Sequence, residues 1–327
     1  MPVKTNIEAL RETLAAEMRR DPTIVITGED VGRRGGVFRA TEGLYAEFGP
    51  SRVIDSPLSE LSIAGVGIGL ALNGIRPICE IQFADFIHPA FNQIVNEAAK
   101  MRYRSNATFT VPMLIRAPYG GGISGALYHS QSIEAFFCHV PGLYVLAPST
   151  PYDTAGLLRT ALRSPDPVLF LEHKKLYRSV KGEVPDGDFF VPVGLADVKA
   201  AGDDLTIISY GLMMHESLKA AEALTREDIS VEVIDLRTLS PLDKDTILTS
   251  VKKTGKVLIV HEDNLTGGLG GEIAAIISEQ AFEHLDGPVT RVAGPDVPAM
   301  PFSHPLQDFF MPDAEKIAAA ARRLAAY

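Results

Sequence analysis

The chain has 327 residues, enough for two domains, and its 46% hydrophobic and 22% charged residues are typical of a folded globular protein. Its net charge of −10 argues against nucleic acid as the main partner, because phosphate binding requires a basic surface. Cys79 and Cys138 form no metal or redox motif, and no apolar run resembles a signal peptide or spans a membrane. We therefore expect a cytoplasmic protein with reduced thiols and no membrane partner.

The first half of the chain alternates between strand-like and helix-like patterns. An apolar stripe of Ile7, Leu10, Leu14 and Met18 predicts a helix over 6–20, and the apolar run 23–27 predicts a strand. Continuous apolar runs are typical of parallel strands that are covered on both faces. Further strands are predicted at 75–81, 111–116, 143–147 and 167–171, with helices at 59–73, 86–103, 130–138 and 151–163.

A polar, turn-rich stretch then interrupts the alternation, and it predicts a linker over 181–204. The sequence therefore predicts an α/β protein of two domains, residues 1–180 and residues 205–327, with a mainly parallel sheet in the first. In the second domain, strands are predicted at 205–209, 231–236, 257–260 and 289–292, and helices at 215–225, 242–253, 270–284 and 313–325.

Glu60 precedes an apolar run that contains Gly65, Gly67 and Gly69. A carboxylate in this position either starts a helix or is placed to touch a ligand. The glycines do not fit a dinucleotide fingerprint, since they are evenly spaced and lie inside a helical pattern. We expect them to let this helix pack closely against another backbone, within the chain or at a subunit interface.

A second glycine run, 120–125, follows the strand predicted at 111–116, and His129 comes soon after it. Parallel sheets bind ligands at the carboxyl ends of their strands, so this loop is a candidate site and His129 a candidate acid or base. A mobile turn with a surface or capping histidine is the alternative. No metal-ligand cluster is evident, and the segment 261–264 is expected to be a polar strand end of the second domain with a turn or interface role.

At this point the chain resembles a known family, the β subunits of the heterotetrameric 2-oxo acid dehydrogenase E1 component. The resemblance runs nearly end to end, which makes it specific. It is carried by Gly28-Glu29-Asp30-Val31-Gly32, Gly35-Gly36-Val37-Phe38, Thr41-Glu42-Gly43-Leu44, Asp55-Ser56-Pro57-Leu58-Ser59-Glu60, Glu80-Ile81-Gln82-Phe83-Ala84-Asp85, His129-Ser130-Gln131-Ser132, Pro148-Ser149-Thr150-Pro151-Tyr152-Asp153 and Asp235-Leu236-Arg237-Thr238-Leu239-Ser240-Pro241-Leu242.

The resemblance implies a pyrimidine-binding domain, then a transketolase-type C-terminal domain, and thiamine diphosphate as the cofactor. Glu60 then corresponds to the glutamate that binds the pyrimidine N1′, which promotes loss of the thiazolium C2 proton. Phe86 corresponds to the aromatic residue against the pyrimidine ring, and Leu58 and Gln82 line the same pocket. His129 corresponds to the histidine that handles the substrate carboxylate and acylation of the lipoyl group.

The family also implies partners and metals. The α subunit of an α₂β₂ tetramer supplies a Gly-Asp-Gly motif that holds Mg²⁺ and the diphosphate, and this chain lacks that motif. The E2 acyltransferase is expected to bind through its subunit-binding and lipoyl domains. Some family members hold K⁺, which here would involve the carbonyls of Val111, Met113, Leu114, Ala161 and Ser164, plus Asp166.

Residues 84–100 and 125–137 resemble the branched-chain form more than the pyruvate form, so we expect a branched-chain 2-oxo acid as substrate. A pyruvate or acetoin dehydrogenase β subunit is the alternative. Two other classes are a non-catalytic α/β ligand-binding protein, which would need neither thiamine nor partner, and a single-chain transketolase-like enzyme. The missing Gly-Asp-Gly motif argues against the last of these.

Overall fold

The computed structural model describes residues 1–327, which divide into two compact units. The first unit comprises residues 1–119 and 136–193, and the second comprises 120–135 and 194–327. The boundaries 1–180, 181–204 and 205–327 stay a prediction. The structure adds that residues 181–204 contain two strands, Lys181–Glu183 and Asp197–Ala200, so this stretch is not simply polar coil.

The first unit has eight strands, of which six form a parallel sheet and two, the first and the last, pair with each other antiparallel. Its strands are β1 (Val3–Thr5), β2 (Ile24–Gly28), β3 (Val53–Asp55), β4 (Arg76–Glu80), β5 (Leu114–Tyr119), β6 (Tyr144–Leu146), β7 (Val168–His173) and β8 (Lys181–Glu183). Its helices are α1 (Asn6–Arg20), α2 (Leu44–Phe48), α3 (Glu60–Leu72), α4 (Met101–Arg104), α6 (Pro151–Arg163) and α7 (Leu176–Ser179). The short helix α5 (Glu134–Cys138) begins in residues of the second unit and ends in residues of the first.

Within the first unit, six strands pair in the order β6-β7-β5-β4-β2-β3, and all of these pairs are parallel. Every residue of β2, β5 and β7 is buried, as expected for strands covered on both faces. The helix predicted at 6–20 is confirmed, and its apolar stripe lies in the core. It begins with a capping box in which Thr5 and Glu8 satisfy each other's backbone amides.

Two helices predicted in this region are wrong in their extent. Residues 86–103 contain the end of one 3₁₀ turn, a second 3₁₀ turn, a π-helical segment (Gln93–Ala98) and the short α4. Pro89 has no amide to donate, so a helix cannot continue through it from Phe86. The helix predicted at 130–138 begins only at Glu134. Both departures lie after the carboxyl ends of strands, where local structure often serves a site.

The second unit has a smaller sheet in the order β14-β13-β10-β11-β9, in which only β9 runs antiparallel to its neighbour. The strands are β9 (Asp197–Ala200), β10 (Leu205–Ser209), β11 (Val231–Asp235), β12 (Thr238–Ser240), β13 (Val257–Asn264) and β14 (Thr290–Gly294). The helices are α8 (Leu212–Thr225), α9 (Lys244–Thr254), α10 (Leu269–Gln280), α11 (His304–Phe310) and α12 (Ala314–Ala325). None of the helices in the structure combines the length and apolarity needed to cross a bilayer.

Candidate active site

The first candidate region is an edge of the parallel sheet where three strands end together. Gly28 at the end of β2 pairs in register with Asp55 of β3 and Glu80 of β4. The segments that follow these strands therefore leave the same edge of the sheet. Glu29 follows β2, Glu60 follows β3 after a short turn, and Gln82 follows β4.

Glu60 is the first residue of α3, which confirms that it starts a helix. Ser59 makes no capping hydrogen bond to the helix and instead bonds through its hydroxyl to Ser62. The Glu60 carboxylate is half-buried and receives no hydrogen bond from this chain, so its oxygens can accept one from a ligand. Burial raises the pKa of the neighbouring Glu29, and the charges of Asp30 and Glu60 raise it further.

The glycine positions in α3 differ in what they require. A Cβ on Gly67 would lie 2.4 Å from Cys79 Sγ and 3.0 Å from Met113 Cε, whereas one on Gly69 would meet nothing within 4 Å. The close approach at Gly67 is against side chains, so the backbone-to-backbone contact expected from the sequence is wrong within this chain. Gly69 is exposed, and a subunit interface at that face of the helix stays a prediction.

Aromatic side chains border this edge. Phe86, in the 3₁₀ turn after β4, packs edge-on against Phe83 at 5.9 Å, and Phe83 packs edge-on against Phe38 at 5.4 Å. Gln82 is half-buried, and Leu58 is 71% exposed on the turn before Glu60. The structure thus places an exposed aliphatic group, an amide and an aromatic ring on the segments that leave this edge.

A buried ionic cluster lies beneath these segments. Arg116 on β5 is fully buried, donates to both oxygens of Glu172 on β7 at 2.6 and 2.7 Å, and also donates to Glu80. Tyr177 donates its hydroxyl proton to Glu172. Burial raises the pKa of Glu80 more than the Arg116 charge lowers it. The cluster joins the end of β4 to β5 and β7, and the segment that carries Gln82 and Phe86 begins directly after Glu80.

The glycine loop, residues 120–125, belongs to the second unit together with His129. It follows directly after β5, and the Gly120 amide donates to the carbonyl of Gln131 at 3.0 Å, which closes the segment into a loop. His129 is half-buried and follows a 3₁₀ turn (Ala126–Tyr128). The sequence prediction of a loop that carries a histidine after a parallel strand is confirmed.

The same unit contains three acidic side chains that lie close to one another, and one of them, Glu262, contacts this loop. Glu134 is fully buried, and its Oε1 accepts a 2.7 Å hydrogen bond from Tyr210. Burial, followed by the nearby charge of Asp263, raises the pKa of Glu134 to about 8. Burial also raises the pKa of Asp263 to about 6. Glu262 accepts a hydrogen bond from the Gly121 amide.

The segment 261–264 is the end of strand β13, which confirms the polar strand end expected there. It forms no turn, and an interface role for it stays a prediction. His261 is fully buried against Gly268 and Gly270, and burial lowers the pKa of its imidazole to about 4. It is therefore neutral over the physiological range. No group of three or more His, Cys, Asp or Glu side chains in the structure could hold a metal ion.

The candidate K⁺ ligands lie beside two guanidinium groups. Arg76 Nη1 donates to the Ser164 carbonyl at 3.0 Å, and Arg102 Nε donates to the Asp166 carboxylate at 2.6 Å. The remaining carbonyls belong to Val111, Met113, Leu114 and Ala161, of which those of Val111, Met113 and Ala161 accept backbone amides. The guanidinium groups of Arg76 and Arg102 fit poorly with a further cation at these ligands, because positive charges close together repel.

Four residues of these regions were not found from the sequence. Glu29 could have been found, since it follows a buried strand next to the segment that bears Glu60. Phe83, Glu262 and Gln307 could not, because their contacts depend on the folded chain. The hydrogen bonds of Glu262 and Gln307 join residues 141 and 183 positions apart.

Comparison with known proteins gives matches over nearly the whole chain. Residues 4–180 match the family "Transketolase, pyrimidine binding domain", and residues 194–317 match "Transketolase, C-terminal domain". The chain is 56% identical to 2-oxoisovalerate dehydrogenase subunit beta of Bacillus subtilis (strain 168), over 100% of both chains. It is 47% identical to the pyruvate dehydrogenase E1 component subunit beta of the same organism, over 99% of both.

A solved structure described as "Split gene transketolase, inactive beta4 tetramer" has a similar fold. Its TM-score is 0.79 at 26% identity, and the match covers 98% of each chain. The predicted two-domain α/β architecture with a mainly parallel sheet is therefore confirmed.

Proposed function

The chain belongs to the β subunits of the 2-oxo acid dehydrogenase E1 component, and from this premise we propose that Glu60 and His129 serve two successive steps of that reaction. The family's complexes are thiamine-diphosphate-dependent, and they include an α subunit. Both relatives described above are β subunits of such enzymes. The chain is thus one half of an oxidoreductase component.

The residues near Glu60 fit the pyrimidine end of thiamine diphosphate. A carboxylate with no hydrogen bond from its own chain can share a proton with a ring nitrogen. The Phe86 ring and the exposed Leu58 offer apolar surface for a flat heteroaromatic ring, and Gln82 offers an amide. When bound, the cofactor supplies the nucleophile and the electron sink for decarboxylation of a 2-oxo acid.

Glu60 is proposed to hold the proton at the pyrimidine N1′. The start of α3 fixes the carboxylate at the carboxyl edge of the sheet, and this placement is the observation that carries the proposal. His129 is proposed to bind the substrate carboxylate and to deliver a proton during acylation of the lipoyl group. An imidazole suits both tasks, since it can donate or accept a proton near neutral pH.

The diphosphate and Mg²⁺ are proposed to be held by the α subunit in an α₂β₂ tetramer. The chain has no Gly-Asp-Gly motif, and the structure shows no acidic metal cluster. The similar solved structure is described as an inactive assembly of β chains alone, which supports the need for a second kind of chain. Mass measurement of the coexpressed α and β chains tests this, and activity of the β chain alone would refute it.

A branched-chain 2-oxo acid is the substrate class favoured by the higher identity to the 2-oxoisovalerate enzyme. The pyruvate or acetoin enzyme is the close alternative. Assays of the tetramer with 3-methyl-2-oxobutanoate and with pyruvate decide between them. A higher kcat/KM for pyruvate would overturn the branched-chain assignment.

The E2 acyltransferase is proposed as the second partner, through its subunit-binding and lipoyl domains, and the cytoplasm as the compartment. The acidic net charge of −10 suits a basic E2 module. Comigration of an isolated E2 subunit-binding domain with the tetramer is the expected result. Separate migration at low ionic strength would count against this partner.

The role of Glu60 is tested by Glu60→Gln in the assembled tetramer. We expect thiamine diphosphate to bind but exchange of its C2 proton to slow by roughly a hundredfold to ten-thousandfold. Glu42→Gln is the matched control, because Glu42 is exposed and pairs only with Arg11 at 3.2 Å. Exchange at the wild-type rate in Glu60→Gln would refute the role.

A further inference from the structure

The glycine loop is held by two side chains that come from distant parts of the second unit. Glu262, at the end of β13, accepts the Gly121 amide, and Gln307, in α11, accepts the Ser124 amide at 2.9 Å. Both acceptors are nearly buried, with 4% and 6% of their surface exposed. The loop that leads to His129 is therefore attached to the sheet and to a helix of this unit.

The loop backbone requires such attachment. Ser124 and Ala126 have φ values of 55° and 54°, in the left-handed region that is unfavourable for residues with a Cβ. Gly121 also packs closely, since a Cβ there would lie 2.1 Å from the Met300 sulfur and the methionine side chain would have to move. Residues in this conformation persist only where surrounding contacts hold them.

The downstream side of the histidine is held as well. Gly120 donates to the Gln131 carbonyl at 3.0 Å, and Tyr210 donates to Glu134 at 2.7 Å. Gly125 packs directly against His129, because a Cβ on Gly125 would lie 2.9 Å from His129 Cβ. His129 thus sits between anchors on both sides along the chain.

Burying a carboxylate such as Glu262 costs desolvation free energy, which its hydrogen bond from the Gly121 amide partly offsets. We propose that Glu262 and Gln307 are positioning residues, which hold the glycine loop so that His129 is correctly placed for acyl transfer to the lipoyl group. This inference rests on the role proposed for His129. The two acceptors act on His129 through the loop backbone and do not touch the substrate.

The test compares Glu262→Leu with Glu262→Gln in the α₂β₂ tetramer. Leu removes the acceptor, whereas Gln keeps an oxygen acceptor and the side-chain volume. Decarboxylation is measured with 3-methyl-2-oxobutanoate and an artificial electron acceptor, and acyl transfer is measured with a lipoylated E2 domain. His129→Ala is assayed beside them, and hydrogen exchange reports on the Gly121 and Ser124 amides.

For Glu262→Leu we expect kcat of acyl transfer to fall by roughly tenfold to a hundredfold, because small misplacements carry costs of this size. The KM for the lipoyl domain should change by less than about threefold, whereas the KM for the 2-oxo acid should rise, since His129 is also proposed to bind the substrate carboxylate. Glu262→Gln should restore most of the acyl transfer. The double variant Glu262→Leu with His129→Ala should transfer acyl groups no more slowly than His129→Ala alone, since both substitutions remove the same function of His129.

Different results would refute the role of His129 and the positioning role of Glu262 and Gln307. If His129→Ala transfers acyl groups at the wild-type rate, the role of His129 is refuted. If His129→Ala is impaired but Glu262→Leu is not, or if their effects multiply, the positioning inference is refuted. If Glu262→Leu does not assemble, Gln307→Ala takes its place, with the same expected split and the same refuting results.

Discussion

Glu134 offers a test of the buried acidic environment in the second unit. The side chain is fully buried, Tyr210 donates to one oxygen, and Oε2 has no hydrogen-bond partner. Burial, and then the charge of Asp263, raise its pKa from 4.5 to about 8. Between these two pH values the folded chain keeps a proton that the unfolded chain has lost, so the free energy of unfolding falls as pH rises.

The size of this effect follows from the two pKa values. They differ by about 3.5 pH units, and each unit corresponds to about 1.4 kcal/mol, which gives at most about 5 kcal/mol. Glu134→Gln cannot ionise and keeps an acceptor for Tyr210. Relative to wild type, we expect the variant to be of similar stability near pH 4.5 and to gain up to about 1.4 kcal/mol per pH unit until about pH 8.

The assay is urea unfolding of wild type and variant, each purified with the α subunit, in steps from pH 4.5 to 9. Glu222→Gln is the control, because Glu222 is 73% exposed in its side chain and forms only a surface pair with Arg226. Its difference from wild type should not vary with pH by more than a few tenths of a kcal/mol. A pH-independent difference for Glu134→Gln, or one that grows toward low pH, would refute the reasoning.

Three further predictions concern the first unit. Arg116→Met should lower the free energy of unfolding in urea by about 3–5 kcal/mol, since it leaves Glu80 and Glu172 buried without their cation. Adding Glu80→Gln and Glu172→Gln should recover most of this loss. An unchanged unfolding midpoint for the single variant would contradict the ionic cluster. Gly67→Ala should lower the free energy of unfolding by about 1–3 kcal/mol through overpacking, while Gly69→Ala should raise it by up to about 1 kcal/mol in the isolated chain. Equal effects of the two substitutions would count against the packing of Gly67 on Cys79 and Met113. Replacing K⁺ by Na⁺ should leave the melting temperature unchanged, because two guanidinium groups already donate to candidate K⁺ ligands; a reproducible rise in K⁺ alone would contradict this.

The long-range order of the sheets was predictable because each buried strand is a continuous apolar run with a helix pattern after it. The strands β2 and β10 fall within a residue of their predicted bounds for this reason. Residues 86–103 failed because an apolar 3.6-residue pattern cannot show where Pro89 and local contacts interrupt it. Periodicity reports burial, and it does not report continuity of the hydrogen-bond ladder.

The candidate residues were found unevenly. Glu60 and His129 stand next to local signals, a helix start and a glycine loop, and the family resemblance then gave them roles. Glu262 and Gln307 have no local signal, because each acts on an amide more than 140 residues away in the chain. The ionic pair of Arg116 and Glu172 was invisible for the same reason, since two separate strands, β5 and β7, must align before the charges meet.

The assignment of residues 120–135 to the second unit has a consequence for dissecting this protein. The chain crosses between the units three times, after Tyr119, after Ala135 and after Val193. A fragment that starts at residue 194 would lack Glu134 and Gly121, the partners of Tyr210 and Glu262. The C-terminal half therefore cannot be exchanged alone between relatives. A chimera that takes residues from 194 onward from a relative must also take that relative's 120–135 segment, so that the buried carboxyl groups keep their hydrogen-bond partners.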